Sequence, residues 1–263
     1  MEIYLILEVI LISSLLYAYL HKKTRISLKF LYLDNIGVII PLIALVHLAC
    51  YIHFYSSIIV LLIPLFSIGF AFTYTMIRFW RTPSRKIKAT ENELVSPADG
   101  NIIYIKKVDE GNVPISIKKA RTFLLNELTK TDILVNPCWL IGINMTPFDV
   151  HKNCSPIKGK IILVKHFNGK FLSLKESDAQ TENERNTFVI SNDNLMIGIV
   201  QIASRLVKRI DTYVNDEQWV EKGQWIGMIR FGSQVDLIIP QDLELNIDVG
   251  QQVYAGISII ARK

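Results

Sequence analysis

Cysteine is scarce in this chain of 263 residues: only Cys50, Cys138 and Cys154 occur, and no two of them form a CxxC spacing. That excludes a disulfide framework and a zinc site of the usual ligand spacing, so no metal is expected. Histidine is nearly as rare, and beyond residue 80 only His151 and His166 occur. No G-x-S-x-G elbow is present, which leaves hydrolase chemistry of the α/β kind unsupported. Formal net charge is +5, yet no Arg-rich run with interleaved aromatics accompanies it, so a nucleic-acid partner is not expected.

Apolar residues are plentiful: half the residues are hydrophobic, and they concentrate before residue 80. Residues 2–20 have the length of one membrane span, and the run 36–77 is about twice as long. The longer run divides near "CYIHFYSS" into spans at 36–54 and 57–77, predicting a membrane anchor of three helices over 1–85. "HKKTR" (21–25) and "RFWRTPSRKIK" (78–88) then fall on the same side of the membrane, which the positive-inside rule makes cytoplasmic. The second cluster reads as a juxtamembrane anchor against anionic lipid. Glu8, His47 and His53 read as snorkelling or interhelical hydrogen-bonding residues.

Residues 86–263 change character, with short β-type runs punctuated by Gly, Pro, Asn and Asp. "SPADGNIIYIKK" (96–107) and "SPIKGKIILVKH" (155–166) align without a gap, predicting two copies of one turn and strand. With "VEKGQWIGMI" (220–229) and "IDVGQQVYAGISII" (247–260), the pattern predicts a mostly β catalytic domain. Its expected form is a lipoyl- or biotinyl-like barrel-sandwich, although no swinging-arm Lys is present.

Candidate chemistry is sparse. His151 lies in "NMTPFDVHKNCSP" (144–156), a loop of the kind that displays functional groups, while His166 reads as a solvated strand end. Asp99 stands in the first repeat turn, where the second copy has Lys158. Ser233 follows Gly232 at the mouth of the strand "RFGSQVDLIIP" (230–240). An Asp that orients a His toward a Ser hydroxyl is the activated-nucleophile arrangement, but a turn-forming Asp and a β-bulge at the Gly-Ser pair fit these residues as well.

"SPADG", "MTPFDVHKNCSPIKGKI", "TENERN", "QIASRLVKRI" and "GQWIGMIRFGSQVDLIIP" occur in the order seen in phosphatidylserine decarboxylases, and the chain most resembles their short prokaryotic branch. The resemblance implies self-cleavage between Gly232 and Ser233 into a β chain 1–232 and an α chain 233–263. It implies conversion of Ser233 to a covalent pyruvoyl cofactor, with Asp99 as orienter and His151 as base. It further implies decarboxylation of phosphatidylserine to phosphatidylethanolamine through a Schiff base with that pyruvoyl group. The partners it implies are a phospholipid in the cell membrane and the two chains of one precursor; a homo-oligomer stays open. An ether-linked archaeal serine lipid, making the chain an archaetidylserine decarboxylase, is an alternative substrate, and an inactive membrane-anchored lipoyl-like adaptor an alternative function. Two departures stand out: Cys154 and Gln234 occupy positions where the short branch carries Arg. Anion binding would then pass to Lys152, Arg205 or Arg230. Arg185 in "NERN" reads either as a surface partner of Glu182 or Glu184, or as a contact to substrate or processing site.

Overall fold

The computed structural model describes residues 2–24, 28–51, 57–109, 112–116, 121–132, 137–170, 172–173, 179–203, 209–230 and 233–263. They form two compact units, which divide between Trp80 and Arg81.

The first unit holds α1 (Glu2–Thr24), α2 (Leu28–Tyr51) and α3 (Ser57–Trp80). All three are long and apolar enough to cross a membrane. Helix α2 starts eight residues before the apolar run, and so takes in Asp34 and Asn35, both buried. Such residues are tolerated among apolar helices when they are paired. Asp34 forms an ion pair with Arg78 of α3, and Asn35 accepts a hydrogen bond from Ser13 of α1 and donates to Ser14 at 3.3 Å. His47 Nδ1 lies 2.7 Å from Glu2 Oε1, a bond between helices, while His53 lies outside the described residues.

The second unit is β-rich. Its elements are β1 (Glu93–Val95), β2 (Gly100–Val108), β3 (Asn112–Ser116), β4 (Arg121–Leu124), α4 (Leu125–Thr129), β5 (Cys138–Met145), β6 (Lys152–Cys154) and β7 (Gly159–Phe167). There follow α5 (Ala179–Glu182), β8 (Arg185–Asn192), β9 (Leu195–Ala203), β10 (Ile210–Thr212), β11 (Trp219–Val220), β12 (Trp225–Ile229), β13 (Ser233–Pro240), β14 (Glu244–Leu245), β15 (Gln252–Val253) and β16 (Ile259–Arg262). Eight strands form a curled half-barrel sheet in the order β11-β7-β8-β9-β13-β5-β2-β15, and its pairings are antiparallel. Two three-stranded sheets, β1-β16-β14 and β10-β12-β6, and the β3-β4 hairpin complete the unit.

The sequence repeat is a structural repeat. Ser96 Oγ donates to the Ala98 carbonyl at 2.7 Å, and Ser155 Oγ donates to the Ile157 carbonyl at 2.6 Å, the same turn built twice. The copies cross, because Cys154 N donates to Pro97 O and Val95 N donates to Pro156 O. Each turn leads into a nine-residue strand with a register shift at the equivalent place, between Ile102 and Tyr104 in β2 and between Ile161 and Leu163 in β7. Gly256 N and Gly223 N donate to Ser96 O and Ser155 O. Both glycines have positive φ, +70° and +79°, a backbone region where L side chains are strained.

Alternation along β13 divides its side chains between two cores. Val235, Leu237 and Ile239 join the larger core with Ile141, Ile143, Ile199 and Ile226, whereas Ile238 faces a smaller core with Leu140, Val200 and the α4 residues Leu125 and Leu128. Asp236 shares the Ile238 face and is fully buried. Its Oδ1 accepts from Tyr104 Oη at 2.6 Å and from Gln234 Nε2 at 2.7 Å. Tyr104 reaches it by lying across Gly142, where a Cβ would come within 2.4 Å of the ring. Burial pushes the Asp236 carboxyl up to about 6, against the pull of those two hydrogen bonds and of the Lys106 and Arg185 charges.

Candidate active site

The turn after β5 places His151. Met145 ends that strand, and Asp149 closes the turn, its Oδ2 accepting from Thr146 N and Thr146 Oγ1, each at 2.7 Å. Burial raises the Asp149 carboxyl above its usual range, although the Thr146 bonds act the other way. The His151 imidazole is fully buried, with Nδ1 at 2.9 Å from the Asp149 carbonyl oxygen. A carbonyl only accepts, so Nδ1 carries the proton and Nε2 has the lone pair in the neutral ring. Burial lowers the His151 pKa to about 4, partly offset by the Asp149 bond and the Asp99 charge. The ring is therefore a neutral base at physiological pH.

Asp99 is buried beneath this loop. Arg85 holds it through a two-pronged ion pair, Nη1 to Oδ1 at 2.5 Å and Nη2 to Oδ2 at 2.8 Å. Ala255 N donates to Oδ1 at 2.8 Å, and Val150 N donates to Oδ2 at 3.3 Å. Asp99 thus meets the residue before His151 through the main chain, while the imidazole nitrogen is oriented by the Asp149 carbonyl. The guanidinium of Arg85 also donates to Ala255 O at 2.6 Å and sits 5.6 Å from the Trp225 ring centroid. The basic cluster 78–88 is therefore not all lipid anchor: Arg85 turns inward, because a buried carboxylate needs a partner.

Ser233 opens β13, opposite Met145 of β5 on one side and Ala203 of β9 on the other, both buried. Gly232 and Arg205 lie outside the described residues. Two features link the His151 loop to the strands around this point. The turn that carries it starts directly after Met145, and its own carbonyl accepts from Ile229 N at 3.1 Å, at the end of β12. The end of β12 is therefore bonded to His151, the end of β5 leads into its turn, and Ser233 follows β12 by four residues.

A family profile described as phosphatidylserine decarboxylase matches residues 72–261. The chain belongs to the phosphatidylserine decarboxylase family. A relative from Methanocaldococcus jannaschii is 39% identical over 185 residues, covering 70% of this chain and 88% of its own. One from Methanothermobacter thermautotrophicus is 36% identical over 187 residues, covering 71% and 80%. Both carry the provisional name archaetidylserine decarboxylase proenzyme.

Within this decarboxylase-family chain, several buried polar side chains join in a network that starts on β6, the strand after His151. Gln201 Nε2 donates to Asn153 Oδ1 at 2.7 Å, and Asn186 Nδ2 donates to Gln201 Oε1 at 3.4 Å and to Thr212 Oγ1 at 2.9 Å. Asn153, Gln201 and Asn186 are fully buried. A lone Gln inside "LMIGIVQIA" was the signal for this set, since a buried amide needs partners. Arg185 is not the surface residue that a charged turn would make it. It is buried, and donates from Nε to Asn183 O at 3.1 Å and from Nη1 to Leu128 O at 2.8 Å. Main-chain carbonyls thus take donors of a guanidinium whose charge also acts on the buried Asp236 carboxyl. Glu184 lies 3.3 Å from His166 Nε2. Cys154 is buried, its thiol donates toward Ser96 O at 3.4 Å, and burial pushes its pKa up to about 12, so it fills space rather than attacks.

Proposed function

We propose that the chain is a membrane-anchored, self-processing decarboxylase of a serine phospholipid, with ether-linked archaetidylserine as its substrate. The observation that carries the reading is the bond from the end of β12 to His151, on the turn that leaves the β5 end paired with the start of β13. The names of the two relatives favour the ether lipid over diacyl phosphatidylserine. In this reading residues 1–80 form the anchor and 81–263 a cytoplasmic catalytic domain, with the crossed repeat as the kernel of a barrel-sandwich of the lipoyl and biotinyl type.

His151 Nε2 takes the Ser233 hydroxyl proton, and the oxygen attacks the Gly232 carbonyl. The Gly232–Ser233 amide becomes an ester as its C–N bond breaks, which frees the amine of residue 233. Loss of the Cα proton expels the Gly232 carboxylate and leaves dehydroalanine, and water then releases ammonia to give the pyruvoyl end. Asp99 and Arg85 hold the His151 loop through Val150 N. The strand start fits such an end, because its ladder neighbours Met145 and Ala203 are buried and apolar. A pyruvoyl group supplies a carbonyl that engages the lipid amine and accepts the electron pair released with carbon dioxide. His151 then returns a proton to the carbon that lost the carboxylate.

Mass spectrometry of purified wild-type protein tests the reading. The expected result is a fragment 233–263 with a pyruvoyl N-terminus, blocked to Edman sequencing, and faster decarboxylation of archaetidylserine than of phosphatidylserine in mixed micelles. An intact chain refutes self-processing, whereas a clear preference for the diacyl lipid overturns only the substrate. The pH profile is a further test. Since only the neutral imidazole accepts a proton, self-cleavage holds a plateau from about pH 8 to pH 5 and falls as pH drops through about 4. A midpoint near ~6.5, the ordinary histidine value, contradicts this role.

A further inference from the structure

A cavity of about 560 Å³ opens at the start of β8, lined among others by His166, Glu184, Arg209, Ile210 and Thr212. Its size suits a polar headgroup and leaves no room for two lipid chains as well. Its position points at the reaction centre: Ala203 N donates to Glu184 O at 2.9 Å, and Ala203 stands opposite Ser233. Two strand spacings of about 4.8 Å put this wall roughly 10 Å from the main chain of residue 233. The hydrogen-bonded series Thr212, Asn186, Gln201, Asn153 runs from the cavity to the strand that follows His151. Asn186 Oδ1 in that series is buried without a hydrogen-bond partner among the described residues.

Charge at the cavity is organised by Asp211. Its Oδ1 accepts from Arg209 Nε at 3.0 Å, and its Oδ2 accepts from Arg230 Nε at 2.8 Å. One carboxylate thus orients two guanidiniums, and the three-residue cluster by itself carries one positive charge. The main chains hold the same pair together, because Arg230 N donates to Arg209 O at 3.0 Å. A guanidinium has five donors, so the Nε bond of Arg209 leaves its fork for a tetrahedral anion. The Glu184 carboxylate, which also lines the cavity and opposes that charge, is engaged by His166. Arg230 stands three residues before Ser233, which joins this cluster to the reacting segment.

We propose that the Arg209–Asp211–Arg230 cluster is the phosphate subsite for the lipid headgroup, with Arg209 as the contact and Asp211 as the residue that positions both guanidiniums. This rests on the decarboxylase reading. The test uses full-length processed protein in mixed micelles, with glycerophosphoserine as a soluble headgroup probe. Arg209→Gln is expected to raise KM at least about tenfold while kcat falls no more than about twofold, and Arg209→Lys to recover part of the loss. Asp211→Asn is expected to move KM in the same direction and guards against misfolding of one variant. Glycerophosphoserine inhibits wild type and loses potency by the same factor in Arg209→Gln. An unchanged KM, or unchanged inhibition by glycerophosphoserine, overturns the subsite. Equal inhibition by inorganic phosphate marks a free-phosphate site and overturns the headgroup assignment. Denaturing gels keep the two failures apart: a wild-type chain that stays whole sinks the decarboxylase reading, whereas normal cleavage with unchanged KM sinks only the subsite.

Discussion

The Ser233→Ala chain runs as a single 30.1 kDa band and releases no carbon dioxide from either serine lipid. Removal of one oxygen takes away the nucleophile, so the Gly232–Ser233 amide has no route to an ester and no pyruvoyl end forms. The fold is expected to tolerate the change. Residue 233 is held in β13 by main-chain pairing to β5 and β9, opposite Met145 and Ala203, and Ala makes the same ladder. Thermal midpoints of the variant and of uncleaved wild type therefore agree within about 2 °C. His151→Gln is the companion experiment. It keeps the hydroxyl but removes the base, and cleavage slows by roughly 10²–10⁴-fold rather than stopping. Cleavage of Ser233→Ala at the same bond would refute the mechanism.

Replacement of Arg85 by Met has the second large effect, on stability first and on processing as a consequence. Asp99 is 1% exposed, and two of its four hydrogen bonds come from Arg85. Loss of one partner of a buried ion pair leaves an uncompensated charge, a cost of about 3–5 kcal/mol. For a unit of this size that corresponds to a midpoint roughly 10 °C lower in detergent. Processing slows as well, because the same carboxylate holds Val150 N beside His151. Asp99→Asn added to Arg85→Met removes the stranded charge and recovers most of the midpoint. A single variant that melts within about 2 °C of wild type would show that the Asp99 charge is met in some other way.

Much of the fold was legible because its signals are local. Three apolar runs separated by short polar stretches predict three helices, and alternation with Gly and Pro punctuation predicts strands. The Ser-Pro-x-x-Gly pair predicted a repeated turn, and the structure closes both copies with the same Ser Oγ bond to a carbonyl two residues on. Helix α2 extends beyond the apolar run for a physical reason. Hydropathy counts Asp34 as exposed, but an ion pair with Arg78 of another helix pays for its burial.

The candidate site divides along the same line. By itself the sequence determined which atoms are available for chemistry: one Gly-Ser pair at a strand mouth, two histidines in the β-rich part and an aspartate that distinguishes one repeat turn from the other. The five motifs that carry these residues, in their order along the chain, mark the family. Tertiary structure alone decided what each group faces. Arg85 lies in a basic run that reads as a lipid anchor, and only the fold brings it under Asp99. Arg185 has two glutamates beside it in sequence, yet it spends its donors on main-chain carbonyls. The imidazole of His151 takes its orientation from the Asp149 carbonyl, a group that every residue carries and no sequence pattern can flag. The reason is common to all three. A side chain's chemical identity is written locally, but its desolvation and its partners come from segments distant in sequence that only folding brings together.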